Sequence, residues 1–292
     1  MIGTGTRTLQ RVPLAAYDAA RLTPLIGAER VAALARTADA AREAFEGRVV
    51  FNVNSTAHGG GVAEMLGSLL GYVRGAGVDA RWLVLEGNPA FFAVTKRIHN
   101  GLYGGPGDGG PLGDEERVCY EEVARLAAED LHPALWPGDV VVLHDPQPAG
   151  IAAAAKRAGA TVVWRCHVGC EERNEWTDRA WSFLAPYLAD VDAFVVSQRA
   201  LAPPWAPPER VHVIPPSIDP FATKNAPMSD ETVQRALVHT GLIAGIDDDA
   251  HVQIVRADGT PRTITRRPDI LQLGPPRRRT RRWSSRSRAG TA

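Results

Sequence analysis

The chain has 292 residues, room for one large domain or two small ones. With 45% apolar and 23% charged residues it has the balance of a globular protein, and no apolar run reaches the ~18 residues of a membrane helix. The zero net charge hides an asymmetry: seven arginines fall in 277–288, no acid follows Asp269, and without those seven the rest carries −7.

Arg7, Arg11, Asp18 and Arg21 interrupt the stretch where a secretory leader would be apolar, so none is expected. Three cysteines (Cys119, Cys166, Cys170) are too few for a disulfide framework, and a reduced, cytoplasmic setting is expected. Residues 13–45 read as helical, with Val31, Leu34, Ala38, Ala41 and Phe45 recurring near the 3.6-residue period. The run 48–54 (RVVFNVN) reads as a buried strand, Gly59–Gly61 as a turn and 62–73 as a helix. Strands follow at 81–85, 139–143, 161–165, 193–196 and 211–214, with helices at 115–129, 149–157 and 174–188 between them.

Short strands without polar alternation are buried on both faces. Alternating with helices, they predict an α/β fold: a Rossmann-like, mostly parallel sheet with helices on both faces. Beyond Pro215-Pro216 the pattern weakens. One more helix is expected over 228–239 with Ser229 as its N-cap, then a hairpin over 251–265 around Asp258-Gly259. From Gly274 onward only Pro, Arg, Ser and Gly dominate, without hydrophobic period, which predicts a disordered basic tail.

Ligands of such sheets bind at the carboxyl ends of the strands. Three groups sit there. The turn around Gly60 and Gly61, opening a helix, suits an anion, since bare backbone N–H groups and the helix dipole both favour negative charge. It lacks the GK[ST] ending of a P-loop and the GxGxxG of a dinucleotide site, and a plain tight turn explains it equally well. His144-Asp145 follows the third strand and suits a sugar hydroxyl or a developing charge; a structural loop is the other reading. Arg165 and His167 follow the fourth. Cys166, His167 and Cys170 lack the second ligand pair that zinc needs, so no metal is expected, and no cofactor. The arginine tail suits nucleic acid by charge alone, but nucleic-acid binding is not the expected role.

The blocks NSTAHGGGVAEML (54–66), FFAVTKRIHNGLYG (91–104), VVLHDPQPAG (141–150), WRCH (164–167) and PPSIDPFATKN (215–225) occur in this order. Together they resemble the N-terminal half of the trehalose synthases of glycosyltransferase family 4. Retaining trehalose phosphorylases are similar in this half. The resemblance implies a GT-B fold, two Rossmann-like domains across a cleft. It implies transfer of glucose from a nucleotide-diphosphate glucose to glucose, with retention. By position it implies catalytic roles for His144 and Asp145, and substrate contacts for Gly60, Gly61, Arg165 and His167.

The family's second domain supplies an Arg, a Lys and an E-x7-E motif around the donor. Here no Glu follows Glu231 and no Lys follows Lys224. Glu121 and Glu129 have the motif's spacing but read as a solvated helix face. The expected organisation is a Rossmann-like domain over 13–225, an inter-domain helix and hairpin over 226–270, and the tail over 271–292. A truncated or frameshifted product is expected, inactive alone, with a separately encoded C-terminal domain as a partner. The alternatives are a non-catalytic sugar-binding remnant and the N-terminal half of a trehalose phosphorylase.

Overall fold

The computed structural model describes residues 8–222, 225, 228–245, 253–255 and 261–263. The chain divides into two compact units, Met1–Ser217 and Ile218–Ala292. In the first, a seven-stranded sheet runs in the order β1-β3-β2-β4-β5-β6-β7. Its strands are β1 Leu9–Val12, β2 Val49–Asn54, β3 Asp79–Leu85, β4 Val140–His144, β5 Thr161–Cys166, β6 Ala193–Val196 and β7 Val211–Val213. Every pairing is parallel except that of β1 with β3.

The helices are α1 Thr23–Ile26, α2 Ala28–Ala44, α3 Gly61–Gly75, α4 Pro89–Leu102, α5 Asp114–Leu131, α6 Ala152–Arg157 and α7 Glu175–Leu188. Successive strand residues face opposite sides of a sheet. On one side Phe51, Val53, Val141, Leu143, Val162 and Trp164 join a core closed by Phe91, Ile98, Tyr120, Ala127, Phe183 and Leu184 of α4, α5 and α7. On the other, Ala80 and Trp82 of β3 pack under Ala63, Leu66 and Leu70 of α3. Helices therefore cover both faces, as the buried strands predict.

Three expectations need correction. The helix expected from residue 13 starts later: Asp18 caps a short 3-10 turn, Ala19–Leu22, and α1 and α2 follow. Residues 13–18 are irregular. Strand β1 was not expected from its sequence. It forms because the Asp130 carboxylate, at the end of α5, accepts the Thr8 and Leu9 N–H groups, while Leu9 enters the core. Helix α4 was also unassigned, although Asn88 caps it by accepting the Phe91 N–H at 2.8 Å and Pro89 occupies its first turn.

In the second unit, α8 spans Asp230–His239, and the Ser229 hydroxyl accepts the Thr232 N–H at 3.1 Å, the expected cap. The expected hairpin appears as β8 Gln253–Val255 antiparallel to β9 Pro261–Thr263. Its turn, and the basic tail over 271–292, lie outside the described residues.

Asp139, 2% exposed, ties the amino end of the sheet together. Its carboxylate accepts Val49 N–H at 2.8 Å and Trp136 N–H at 2.9 Å, and its carbonyl accepts Thr161 N–H. Asp139→Ala leaves two part-buried N–H donors without their acceptor and is expected to cost about 1–3 kcal/mol of unfolding free energy. Urea titration checks this, and a loss well below 1 kcal/mol would refute the tether.

Candidate functional site

The order β3-β2-β4 creates a reversal: the chain leaves β2 to one side for β3 and returns past it for β4. At such a switch point the strand ends diverge and open a crevice on the carboxyl edge. The register sets Val53 beside Leu143 and His144 beside Arg165. The expected residues His144, Asp145, Arg165 and His167 thus arise at neighbouring ends of β4 and β5.

Five hydrogen bonds tie them to one another and to Asn52 and Trp164. The Nδ1 of His144 lies 3.1 Å from the Nε2 of His167, with the rings near parallel at 5.4 Å. The other nitrogen of His144, Nε2, lies 3.0 Å from the Asn52 Oδ1 on β2. The His167 N–H donates to the Asp145 carboxylate at 2.7 Å. The Asp145 N–H donates to the Arg165 carbonyl at 2.9 Å, and the Trp164 indole donates to the Asp145 carbonyl at 2.9 Å. His144 is 1% exposed and both its ring nitrogens are engaged within the protein. His167 is only partly buried.

Asp145 has φ 65°, and among the described residues it is the one non-glycine with positive φ. Such backbone suits Asp and Asn better than most residues, at a cost of order 1–3 kcal/mol. The following loop is fixed from beneath. The buried Tyr120 hydroxyl donates to the Pro146 carbonyl at 2.7 Å and accepts the Gly150 N–H at 2.9 Å.

Gly60 and Gly61 lie on the same edge, past the end of β2. Gly60 precedes α3 with φ 83° and ψ 155°, a conformation essentially confined to glycine. A Cβ on either residue would meet nothing within 4 Å, so backbone conformation calls for glycine at position 60 and packing calls for it at neither. Asn54 anchors the preceding turn, accepting from the Trp82 indole and donating to the Thr56 carbonyl, each at 2.7 Å. An open cleft of about 820 Å³ lined by Asp39, Arg42, Arg48 and Asp79 lies instead at the amino ends of β2 and β3, away from this chemistry.

Electrostatics keep the imidazoles neutral. Burial holds the His144 pKa well below the ordinary imidazole value, and the nearby His167 and Arg165 lower it further. Burial, then Arg165, brings His167 down to about 4. Burial pushes Asp145 up to about 7, against the opposing His167 N–H and the Arg165 charge. Cys166 and Cys170 donate their thiols to the Val168 and Glu172 carbonyls. Among the described residues no group of three His, Cys, Asp or Glu could hold a metal ion.

Sequence reasoning missed Asn52 and Tyr120. Asn52 carried a signal: it and Asn54 are polar alternate positions in an otherwise apolar strand.

The family model for the trehalose synthase N-terminal domain matches residues 52–203. The chain belongs to this family. The match takes in Asn52 and all six expected site residues. A trehalose synthase of Rubrobacter xylanophilus is 38% identical over 185 residues, covering 63% of this chain and 43% of that protein. A trehalose synthase of Pyrococcus horikoshii is 33% identical over 213 residues, covering 73% and 48%. A trehalose phosphorylase of Pleurotus sajor-caju is 34% identical over 138 residues, covering 44% and 18%. The chain spans about half the length of the curated trehalose synthases it matches. Among solved structures, a trehalose-6-phosphate synthase aligns with a TM-score of 0.49 at 16% identity, covering 67% of this chain and 56% of that one. No helix among the described residues is long and apolar enough to cross a membrane.

The buried groups predict an acid response of this trehalose synthase N-terminal domain. The two histidines titrate below the ordinary 6.5, so their stabilisation is present above 6.5 and is lost as pH falls toward about 4. Asp145 works oppositely: raised from 3.8 to about 7, it stabilises at low pH, and that is lost as pH rises through about 7. Near pH 5, folding removes a proton from each ring and adds one to the carboxyl. Asp145→Asn keeps the backbone conformation and the Oδ1 acceptor but deletes the opposing titration. Between pH 4.5 and 6.5 the fall in unfolding free energy on acidification should steepen by about 1 kcal/mol per pH unit, somewhat less than one whole proton's linkage. An unchanged slope in urea melts would refute the raised carboxyl.

Proposed function

We propose that this chain forms the sugar-acceptor half of a trehalose synthase-like glycosyltransferase, acting on glucose and a nucleotide-diphosphate glucose with retention. The observation that carries this reading is the family match over 52–203, which contains the whole switch-point cluster. The chemistry of the cluster supports it. Neutral imidazoles suit hydroxyl ligands, because they exchange hydrogen bonds without holding a charge out of water. The partly buried Arg165, with no ion pair among the described residues, suits a sugar or phosphate oxygen. At Gly60 and Gly61 the start of α3 offers backbone N–H groups and a positive dipole end to a diphosphate.

The roles divide by exposure. His167 and Arg165 contact sugar, Gly60 and Gly61 face the donor phosphates, and Asp145 orients His167 through its backbone N–H. His144 acts through His167, because neither of its own nitrogens is free. Stabilising the departing diphosphate needs preorganised positive charge, a contribution worth several kcal/mol, and among the described residues this edge offers a glycine turn, a helix dipole and the single guanidinium of Arg165. The partner is therefore a donor-binding domain of the kind full-length relatives carry.

Titration of the purified chain with glucose, followed by calorimetry, should show binding that His167→Ala weakens about tenfold, the worth of one buried hydrogen bond. Incubated with glucose and each common nucleotide-diphosphate glucose, the chain alone should form no trehalose above background. Adding the C-terminal half of a full-length relative should restore synthesis. Absence of glucose binding, or full turnover by the chain alone, would overturn the reading.

A further inference from the structure

We infer that Asn52 is a positioning residue that sets the proton arrangement of the His144–His167 pair, so that His167 offers Nδ1 as a bare acceptor for a ligand hydroxyl. The inference rests on the sugar-site reading above for the ligand, but its core concerns protons inside the protein.

Asn52 lies on β2, is 5% exposed, and faces the same side of the sheet as His144 across the β2–β4 pairing. Its Oδ1 stands 3.0 Å from His144 Nε2. A carbonyl oxygen only accepts, so His144 Nε2 must carry the hydrogen. The His144 ring is neutral, so its Nδ1 holds a lone pair. That lone pair faces His167 Nε2 at 3.1 Å, and only a donor can sit there. His167 Nε2 therefore carries its hydrogen too. His167 is neutral as well, which leaves its Nδ1 unprotonated, and no described residue donates to it.

One amide thus polarises two rings in series. A ligand meeting His167 Nδ1 must donate, as a hydroxyl does. A carbonyl or phosphate oxygen would face lone pair against lone pair. The chain of three groups selects polyols without any charged contact. The remaining Asn52 atom, Nδ2, is buried without a partner among the described residues. If the amide were turned, Nδ2 would donate to His144 and every proton in the series would reverse, giving His167 a donor instead.

The test reads the protons directly. The full chain, labelled with 15N-histidine, is examined at pH 7 by two-bond proton–nitrogen correlation. Both rings are expected as Nε2–H tautomers. A protonated Nδ1 on His144 would overturn the inference by showing the reversed series. Asn52→Asp, which can only accept, should preserve both tautomers while raising the His144 titration midpoint. Asn52→Leu, which cannot accept, should convert the His144 signal to an exchanging mixture and weaken glucose binding about tenfold. Unchanged His144 and His167 signals in Asn52→Leu would also overturn it. If either variant fails to fold, the wild-type spectrum still decides. Glucose titration separates the two proposals. Correct tautomers with no His167 response to glucose would sink the sugar reading alone, whereas a glucose response from reversed tautomers would sink only this one.

Discussion

The pairing of β2 with β4 governs most of what this chain can do. It runs from Val50 beside Val140 to Val53 beside Leu143, in the middle of the sheet, where the direction of winding reverses. That reversal alone brings a strand from residue 50 against one from residue 140. It sets Asn52 on the same face as His144, and it leaves the glycine turn and the histidines past the same, carboxyl edge of the sheet. The same pairing is clamped at its amino end by Asp139, which binds the first N–H of β2 and immediately precedes β4. Stability and site geometry therefore share one seam.

Burial decides the chemistry along that seam. In water an imidazole near 6.5 changes charge with small changes in pH. Here desolvation and Arg165 remove the charge from both rings. Asp145 is moved the other way, toward the protonated form. The two rings therefore meet through a hydrogen bond between neutral groups rather than through an ion pair.

Much of this was legible in the sequence, for a physical reason. Strands such as VVVL and TVVW are apolar on both faces because both faces are covered, and that pattern survives without knowledge of neighbours. Candidate site residues could be named because parallel strands end on one edge, so a polar residue just past each strand stands out. The Ser229 cap and the hairpin strands were local signals also. What escaped depends on remote partners. Strand β1 exists because Asp130 accepts from Thr8, 122 positions away. Asn52 acquires its meaning from a ring 92 positions away. Its neighbour Asn54 looked like the end of a strand, and nothing local distinguishes an amide that ends a strand from one that orients a histidine.

The two walls of the crevice differ in how they are held. Behind β4, Tyr120 clasps Pro146 and Gly150 from inside the core, and Gly150 packs so closely on Ala124 that a Cβ would come within 2.6 Å of it. Across from it, Gly59, Gly60 and Gly61 are exposed, and a Cβ added to any of them would meet nothing within 4 Å. Local opening is cheapest where few buried contacts must be broken. A molecule entering the crevice would meet an anvil on the histidine side and a hinge on the glycine side. Adjustment to different guests would then fall to the backbone ahead of α3, while the histidine wall keeps its shape.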